Sequence, residues 1–354
     1  MLSLDTNFKG LSRDAALAVL VLLAVAIAAL LAISFNTVVP EGAANPESGD
    51  LALYGHIADR LRQGQDYYHA MHAELLAGNY PTLSVFNWRT PLHLSLVALA
   101  PSSAVAQTVF AVLAGLIAAG VLVLLRRQGN ALLVAGGLPL LLMSLAGAIT
   151  PQTVDVSEIV AGVVILGSLC CYGFDRRIAG MAMAVAALFL RELAGPYLLL
   201  CLAYALWQRR AWEVAVGVAG LVVFAIYLWL HAQAVAAQLG PADIHDTGGW
   251  LAFGGLRFVL TTANFDGMFM MAPLWVTALV LPLGLFGLFA FPAGIRMGLM
   301  VAGYVVLFVF VGRLFNDYWG AIYTPPLAIG LAWAPFALRD LLQALRQPRL
   351  AAVK

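Results

Sequence analysis

The chain has 354 residues, of which 62% are hydrophobic and 10% are charged, and its mean hydropathy is +0.91. Because soluble domains carry about 25% charged residues, this composition excludes an ordinary soluble protein and indicates one that is embedded in a membrane. The net charge of +1 and the lack of any dense basic run indicate no nucleic-acid partner. The three cysteines lie in apolar segments, where core packing explains them better than a disulfide framework or a zinc site.

Apolar runs long enough to cross a bilayer, about 20 residues each, recur along the chain. The first follows Lys9 and Arg13, but it exceeds the apolar region of a typical signal peptide and no clear cleavage site follows, so we expect an uncleaved helix. The predicted fold class is an all-α polytopic membrane protein, a single integral membrane domain over 1–354 with about ten transmembrane helices. Their predicted spans are 15–35, 104–125, 131–149, 157–174, 178–190, 194–208, 213–235, 274–294, 297–312 and 320–338.

The positive charges predict the orientation of these helices. Of the 19 Lys and Arg residues, 13 fall on one side of the predicted spans, and the positive-inside rule makes that side cytoplasmic. Both termini lie there. The Ala/Leu-rich composition favours a bacterial inner membrane. The other side carries the remaining six arginines, which are Arg60, Arg62, Arg89, Arg191, Arg257 and Arg313.

Two outer segments, 36–91 and 236–273, are too long to be simple turns, and we expect them to form the cap of an outward-facing cavity. Within the first, 50–63 and 66–77 have helical spacing and are predicted to be amphipathic helices on the membrane surface. Segment 91–101 is apolar but covers only about half a span, which predicts a short dipping helix.

The stretch ALFLRELAGPYLLL (187–200) places two charges inside an apolar run. A single helix through it would put the flanking arginine pairs 176–177 and 209–210 on opposite sides, against the positive-inside pattern. Gly195-Pro196 offers a break. The segment 178–190 would extend only roughly 20 Å as a helix. We therefore expect a helical hairpin with Arg191 and Glu192 at its tip, in the outer half of the membrane.

Charges inside a membrane usually face a cavity or a partner. Adjacent residues on a helix point about 100° apart, so Arg191 and Glu192 should not simply neutralise each other and at least one should reach elsewhere. One interpretation is that the two residues line a water-filled cavity. The other is that they pair with neighbouring helices and only hold them together.

Candidate site residues also occur in the first outer segment. Asp50 follows the first helix, with Tyr54 one turn later, and a carboxylate near the membrane surface can act as a general base. The element NYPTLSVFNWRTP brings Asn87 and Arg89 next to the short dipping helix, where they suit a sugar ring or a phosphate. Interfacial anchoring by an aromatic belt is the alternative.

The remaining candidates are weaker. His69 and His72 with Glu74 could suggest a metal, but a solvated helix face explains them better. Arg313 and Tyr318 lie at the outer end of the last helix, where Arg313 can reach a lipid phosphate or simply extend to the interface. Arg257, in the second outer segment, matches no specific motif.

In this order along the chain, SGDLALY, NYPTLSVFNWRTP, FLRELAGPY and YWGAIYTPPLAIGLA resemble the GT-C superfamily of polytopic glycosyltransferases, which use lipid-linked sugars. The resemblance implies a polyprenyl-phosphate sugar as donor and a lipid or glycan as acceptor, with membrane lipid around both. It implies that Asp50 is the base toward the acceptor. Arginines around the cavity would bind the donor phosphate, first Arg191 and Arg313, then Arg89 and Arg257.

The chain departs from that pattern in two ways. It is compact for the superfamily and lacks the soluble C-terminal domain that some members carry. The first outer segment holds no adjacent pair of acids, so no metal cofactor is predicted. A monophosphate donor leaves as a dianion, which two arginines could neutralise in a low-dielectric site.

Two other function classes remain open from the sequence. A transporter or flippase of lipid-linked sugars would show inverted repeats and broken helices in matching halves, and only one broken pair is evident. A non-catalytic membrane scaffold would use its polar residues to join helices. A shared outer cavity of Asp50, Arg191 and Glu192 would separate an enzyme from a scaffold.

Overall fold

The computed structural model describes residues 4–37, 49–244 and 252–346. The described part of the chain is helical and contains no β-strand, as the sequence predicts. Parts of both outer segments, 38–48 and 245–251, lie outside the described residues, so the predicted cap is described only in part.

Fourteen α-helices follow one another in the described residues, joined by short turns and 3₁₀ segments. They are α1 (Arg13–Ser34), α2 (Asp50–Arg62), α3 (Tyr67–Ala77), α4 (Leu92–Ala98), α5 (Ser103–Gln128), α6 (Ala131–Ser144), α7 (Ser157–Gly173), α8 (Arg177–Leu190), α9 (Gly195–Trp207), α10 (Ala211–Ala236), α11 (Gly255–Asn264), α12 (Leu274–Ala290), α13 (Ile295–Phe310) and α14 (Leu327–Arg346).

Side-chain caps fix several of the helix starts. Ser12 accepts a hydrogen bond from the Ala15 amide, and Ser102 accepts one from the Val105 amide. The Asn130 side chain caps α6 in the same way through the Leu132 amide at 3.0 Å. Such caps satisfy amide groups that would otherwise lack partners at a helix start.

Four of these elements are long and apolar enough to cross a membrane: Arg13–Ser34, Ser103–Gln128, Ala131–Ile149 and Ala211–Ala236. A fifth is possible if Leu314–Ile322 and Leu327–Arg346 form one span, although they meet at 75°. By length and composition, the described residues therefore contain four or five candidate spans. The other predicted spans correspond to apolar helices of 10–17 residues, so the number of ten stays a prediction.

The last predicted span, 320–338, is placed differently. Residues Leu314–Ile322 form a 3₁₀ segment, and α14 begins only at Leu327 and continues to Arg346. Pro325 and Pro326 lie between the two elements, and a proline lacks the amide hydrogen that a continuous helix needs. The bend at this point follows from that pair.

Helices α8 and α9 form the predicted hairpin. An added Cβ on Gly217 of α10 would meet Met181, near the start of α8, and Leu202, near the end of α9. The two ends of the hairpin opposite its tip therefore lie side by side, and Arg177 and Arg210 line one cavity there. The tip, with Arg191 and Glu192, lies at the other end of the pair.

The two predicted amphipathic helices are present as α2 and α3. Leu53 and Ile57 are buried, and Leu61 packs beside them. Together with residues of α3, with Trp88 and with Val235 of α10, they form a small apolar core separate from the main one. Tyr54 of α2 belongs to this core as well.

Candidate functional site

The charges at the hairpin tip are joined by a carboxylate from another helix. Glu158, in the first turn of α7, is fully buried, and its Oε1 accepts a hydrogen bond of 2.7 Å from Arg191 Nε. Arg191 is only 2% exposed and also donates through Nη1 to the Glu192 carboxylate. The guanidinium of Arg191 therefore lies between two carboxylates.

Arg191 reaches Glu158, as the expectation that at least one of the two charges reaches elsewhere requires, but the expectation that Arg191 and Glu192 point apart is wrong, because their side chains contact each other. The latter expectation assumed that both residues sit on one continuous helix. Helix α8 ends at Leu190, and the Arg191 backbone is extended, with φ −152° and ψ 120°. The two neighbouring side chains can therefore meet, while Arg191 still reaches Glu158.

Arg89 adds a second guanidinium to this group. Its Nε donates to the Tyr54 hydroxyl at 2.8 Å, and its Nη2 donates to the Tyr318 hydroxyl at 2.9 Å. The same Nη2 lies 3.5 Å from Glu158 Oε1. We call the six residues Tyr54, Arg89, Glu158, Arg191, Glu192 and Tyr318 the arginine cluster.

The backbone around Arg89 is held in an unusual conformation. Arg89 has φ +53°, in the left-handed region that residues other than glycine rarely adopt. The Tyr67 hydroxyl donates to the Trp88 carbonyl at 2.8 Å and lies 3.2 Å from that of Arg89. Trp88 is fully buried and donates to the Thr82 carbonyl. These contacts offset the backbone strain and direct the Arg89 side chain into the cluster.

Asp50 lies beside the arginine cluster rather than inside it. It begins α2, one turn before Tyr54, and is partly exposed. Burial raises the pKa of Tyr80, and the nearby Asp50 carboxylate raises it further. Burial raises the pKa of Tyr54 to about 12, with Arg89 acting to lower it and Asp50 to raise it. Asp50 is therefore close enough to influence Tyr54, which is a protonated hydroxyl at neutral pH.

A cavity runs among these side chains. It is lined by Tyr54, Arg89, Arg191 and Glu192, together with His93 of α4 and Asp155. The volume of this cavity is about 10 Å³, which is about the room that one water molecule needs. This void holds about one water molecule and Asp50 is not among its lining residues, so the outward-facing cavity shared by Asp50, Arg191 and Glu192 stays a prediction.

Three other predicted site residues have different surroundings. Asn87 donates to the Pro81 carbonyl at 2.7 Å and so stabilises its own loop. Arg257 is exposed on α11 and donates to the Asn36 carbonyl. The Arg313 guanidinium lies 5.7 Å from the Phe315 ring, on the same 3₁₀ segment that carries Tyr318.

The two guanidinium groups differ in how far carboxylates already neutralise them. Arg191 contacts both Glu158 and Glu192 closely, whereas Arg89 is hydrogen-bonded to two neutral hydroxyls and has only the longer contact with Glu158. The Arg89 side chain is also more exposed, at 10% against 2%. Arg89 is therefore the guanidinium that could accept an incoming anion.

No group of three or more His, Cys, Asp or Glu side chains is placed to hold a metal ion within 4–37, 49–244 and 252–346. His72 instead hydrogen-bonds to Asp243 at 2.8 Å and stacks on Trp88. The Thr82 amide also donates to the Ile244 carbonyl at 3.0 Å. These contacts join the first outer segment to the second.

Two acidic residues of this region were not predicted from the sequence. Glu158 connects Arg191 and Arg89, and Asp155 lines the cavity with no hydrogen-bond partner for either carboxylate oxygen among the described residues. Both belong to the stretch DVSEIV, which opens an apolar run. A charged residue next to an apolar run was the feature that drew attention to Arg191. The same feature would have identified Glu158.

Comparisons with protein-family models, with curated proteins and with solved structures each give no match for this chain.

Proposed function

We propose that the chain is a membrane glycosyltransferase that moves a sugar from a polyprenyl-phosphate donor to a lipid, glycan or protein acceptor. The reaction takes place at the outer face of a bacterial inner membrane, with both termini in the cytoplasm. The proposal uses the arginine cluster, the neighbouring carboxylate of Asp50 and no metal cofactor.

One observation carries the proposal. Tyr54, Arg89, Glu158, Arg191 and Tyr318 come from five separate elements, yet their polar atoms meet in one group. Buried charges cost free energy unless they are paired, and a helix contact alone needs no second guanidinium. Arg89, held by two hydroxyls and a strained backbone, suits a phosphate that approaches from the partly exposed side.

The proposed step is an inverting transfer. The acceptor hydroxyl oxygen attacks the anomeric carbon and forms the new glycosidic bond, while the bond between that carbon and the phosphate oxygen breaks. The acceptor proton passes to the Asp50 carboxylate. The polyprenyl phosphate leaves with the bonding electron pair, and its extra negative charge develops next to Arg89, where preformed donors stabilise it best.

Roles within the cluster follow from the contacts. Arg89, Tyr54 and Tyr318 contact the phosphate, and Arg191 is a positioning residue that orients Glu158. Because the cavity has room for about one water molecule, the sugar and the acceptor lie above it, on the side of Asp50. The phosphate is also larger than one water molecule, so it contacts Arg89 from the partly exposed side of the guanidinium and does not enter the cavity.

The test compares Asp50→Asn with Asp59→Asn in membranes that contain the full chain. Both residues lie on α2, but Asp59 is exposed and paired with Arg62. With a panel of radiolabelled polyprenyl-phosphate sugars, release of polyprenyl phosphate should fall by about 10²–10⁴-fold in Asp50→Asn, the usual contribution of a general base. Asp59→Asn should match the wild type.

Full activity of a folded Asp50→Asn variant would remove Asp50 as the base. Movement of the intact donor from one leaflet of the vesicle membrane to the other, without release of polyprenyl phosphate, would instead establish a transporter. The 75° bend before α14 is the kind of broken helix that transporters use, and it is the observation that favours this second function.

A further inference from the structure

A second cavity lies at the end of α7 and α8 that is remote from the arginine cluster. Helix α7 runs from Glu158 to Tyr172 and beyond, and α8 returns from Arg177 to the cluster. With 17 residues, α7 separates its two ends by roughly 25 Å at 1.5 Å per residue. We call this cavity the far pocket, and it is lined by Tyr172, Asp175, Arg177, Tyr204, Arg210 and Arg296, among others.

The far pocket is larger than the cavity at the cluster. The volume of the far pocket is about 180 Å³. One water molecule needs roughly 10–15 Å³, so the pocket is more than ten times larger than that. The cavity beside Arg89 measures about 10 Å³. The far pocket therefore has room for a small ligand without any rearrangement.

Arg296 provides a preformed cationic group in the pocket. Its guanidinium carbon lies 3.6 Å from the centre of the Tyr172 ring and 4.4 Å from that of Tyr204, so two aromatic faces hold it in place. The residue is only 7% exposed. Its Nη1 has no hydrogen-bond partner among the described residues, although Glu213 Oε1 lies 3.6 Å away. A buried donor without an acceptor costs free energy.

The charges around the pocket leave an excess of one positive charge. Three guanidinium groups belong to Arg177, Arg210 and Arg296, and two carboxylates face them. Asp175 pairs with Arg177 at 2.7 Å, and Glu213 lies 3.5 Å from Arg210. The difference, three minus two, is the charge that an anion would neutralise.

We propose that the far pocket binds a phosphate group. Its three guanidinium groups come from the starts of α8 and α13 and from the turn before α10, so each can meet a different oxygen of a tetrahedral anion. A carboxylate offers only two oxygens. The phosphate belongs either to a membrane lipid headgroup or to a free phosphate compound. This site does not depend on the proposed transfer reaction.

The experiment measures thermal unfolding of the purified full chain in detergent with two probes. One is inorganic phosphate, and the other is phosphatidic acid in mixed micelles, with phosphatidylcholine as the neutral reference. A saturable rise in melting temperature with inorganic phosphate identifies a free phosphate compound as the source. A rise with phosphatidic acid alone identifies a lipid headgroup. No saturable rise with either probe overturns the proposal.

Matched variants locate the binding. Arg210→Gln should weaken the binding by about tenfold or more, the effect of losing one charge-assisted hydrogen bond. Arg209→Gln removes the same charge from the neighbouring exposed position and should stay within about twofold of the wild type. Equal weakening in both variants overturns the site. If Arg210→Gln does not fold, Arg177→Gln gives the same comparison.

Discussion

Glu158 and Asp155 are buried carboxylates three residues apart with opposite surroundings. Glu158 is paired with Arg191 and lies near Arg89, whereas both oxygens of Asp155 lack a hydrogen-bond partner among the described residues. Burial raises the pKa of Asp155 to about 6, a value that includes an opposing effect of Arg62 and a smaller rise from the Asp59 carboxylate. A buried carboxylate without a partner favours its protonated form.

This difference predicts how Asp155 affects stability as the pH changes. Its folded pKa, about 6, lies above the value of 3.8 expected in the unfolded chain. Between these values the folded state binds more protons, so this contribution to the free energy of unfolding falls as the pH rises from about 4 to 6 and stays low above that. Asp155→Asn should remove this pH-dependent fall in the free energy of unfolding. The variant should therefore be more stable than the wild type at pH 7 by up to about 3 kcal/mol.

The measurement is the melting temperature of Asp155→Asn minus that of the wild type, from pH 4 to pH 8 in detergent. The difference should grow between pH 4 and pH 6 and then level off. Asp175→Asn is the control, because Asp175 is exposed, with 75% of its side chain accessible, and it should show no such rise. If the difference in melting temperature between Asp155→Asn and the wild type did not change with pH, the proposed effect of Asp155 on stability would be contradicted.

At the scale of the helices, α12 and α14 show how small residues set the packing. An added Cβ on Gly287 would overlap the Gly330 carbonyl, and one on Gly330 would overlap the Gly284 carbonyl. Since lipid offers no hydrophobic drive for two helices to associate, close backbone contact of this kind supplies the attraction. Backbone atoms cannot move aside as a flexible side chain can.

Gly330→Ala should therefore separate the two helices. We expect a loss of about 1–3 kcal/mol, the usual cost of overpacking, seen as a lower melting temperature in detergent. The matched control is Gly303→Ala on α13, where an added Cβ has no neighbour within 4 Å. Replacing that glycine should keep or raise the melting temperature, because glycine weakens a helix. Equal melting temperatures for the two variants would contradict the packing argument.

The end of α8 at Leu190 agrees with the predicted spans 178–190 and 194–208, but the residues expected to break the helix, Gly195-Pro196, are not where it ends. Gly195-Pro196 resembles a helix breaker, but Pro196 lies in the first turn of α9, a position where proline is tolerated. The helix ends instead at Leu190. Arg191 leaves the helical conformation there, and its side chain meets Glu158 from another helix. Local sequence rules identified the hairpin and its tip, and the folded chain adds the partner that Arg191 contacts there, Glu158.

At the scale of the whole molecule, the charged residues divide between two ends. The arginine cluster and α2 lie at one end of α7, and Arg177, Arg210 and Arg296 lie at the other. The positive-inside rule predicts that the end with the far pocket faces the cytoplasm. The cluster would then face the opposite compartment, where a lipid-linked sugar donor is expected.

Cysteine labelling tests this orientation. In a background without Cys170, Cys171 and Cys201, single cysteines replace Gln63 on the loop after α2 or Arg209 before α10, both exposed positions. A membrane-impermeant maleimide should label the cysteine at 63 in right-side-out vesicles and the one at 209 only in inverted vesicles.

A third cysteine, at the exposed position Asp175 before α8, tests the hairpin itself. It should label from the same side as the cysteine at 209, because the start of α8 and the end of α9 lie together, opposite the tip of the hairpin. Detergent permeabilisation should expose all three positions equally, which controls for local reactivity. Labelling of 175 and 209 from opposite sides would contradict the hairpin.

Much of the architecture follows from local patterns. Apolar runs marked the helices, charge positions marked the hairpin with Arg191 near its tip, and helical spacing marked α2 and α3. These features depend on the solvent that each residue prefers, so they can be predicted from neighbouring residues along the chain. The predicted function and the number of ten spans remain predictions.

The partners of the charged residues required the folded chain. Arg191 meets Glu158, 33 residues away, and Arg89 meets Tyr318, 229 residues away. No local spacing predicts such pairs, because a buried charge is stabilised by whichever opposite charge the packing brings within reach. For the same reason the far pocket, built from Tyr172, Tyr204 and Arg296, is evident only in three dimensions.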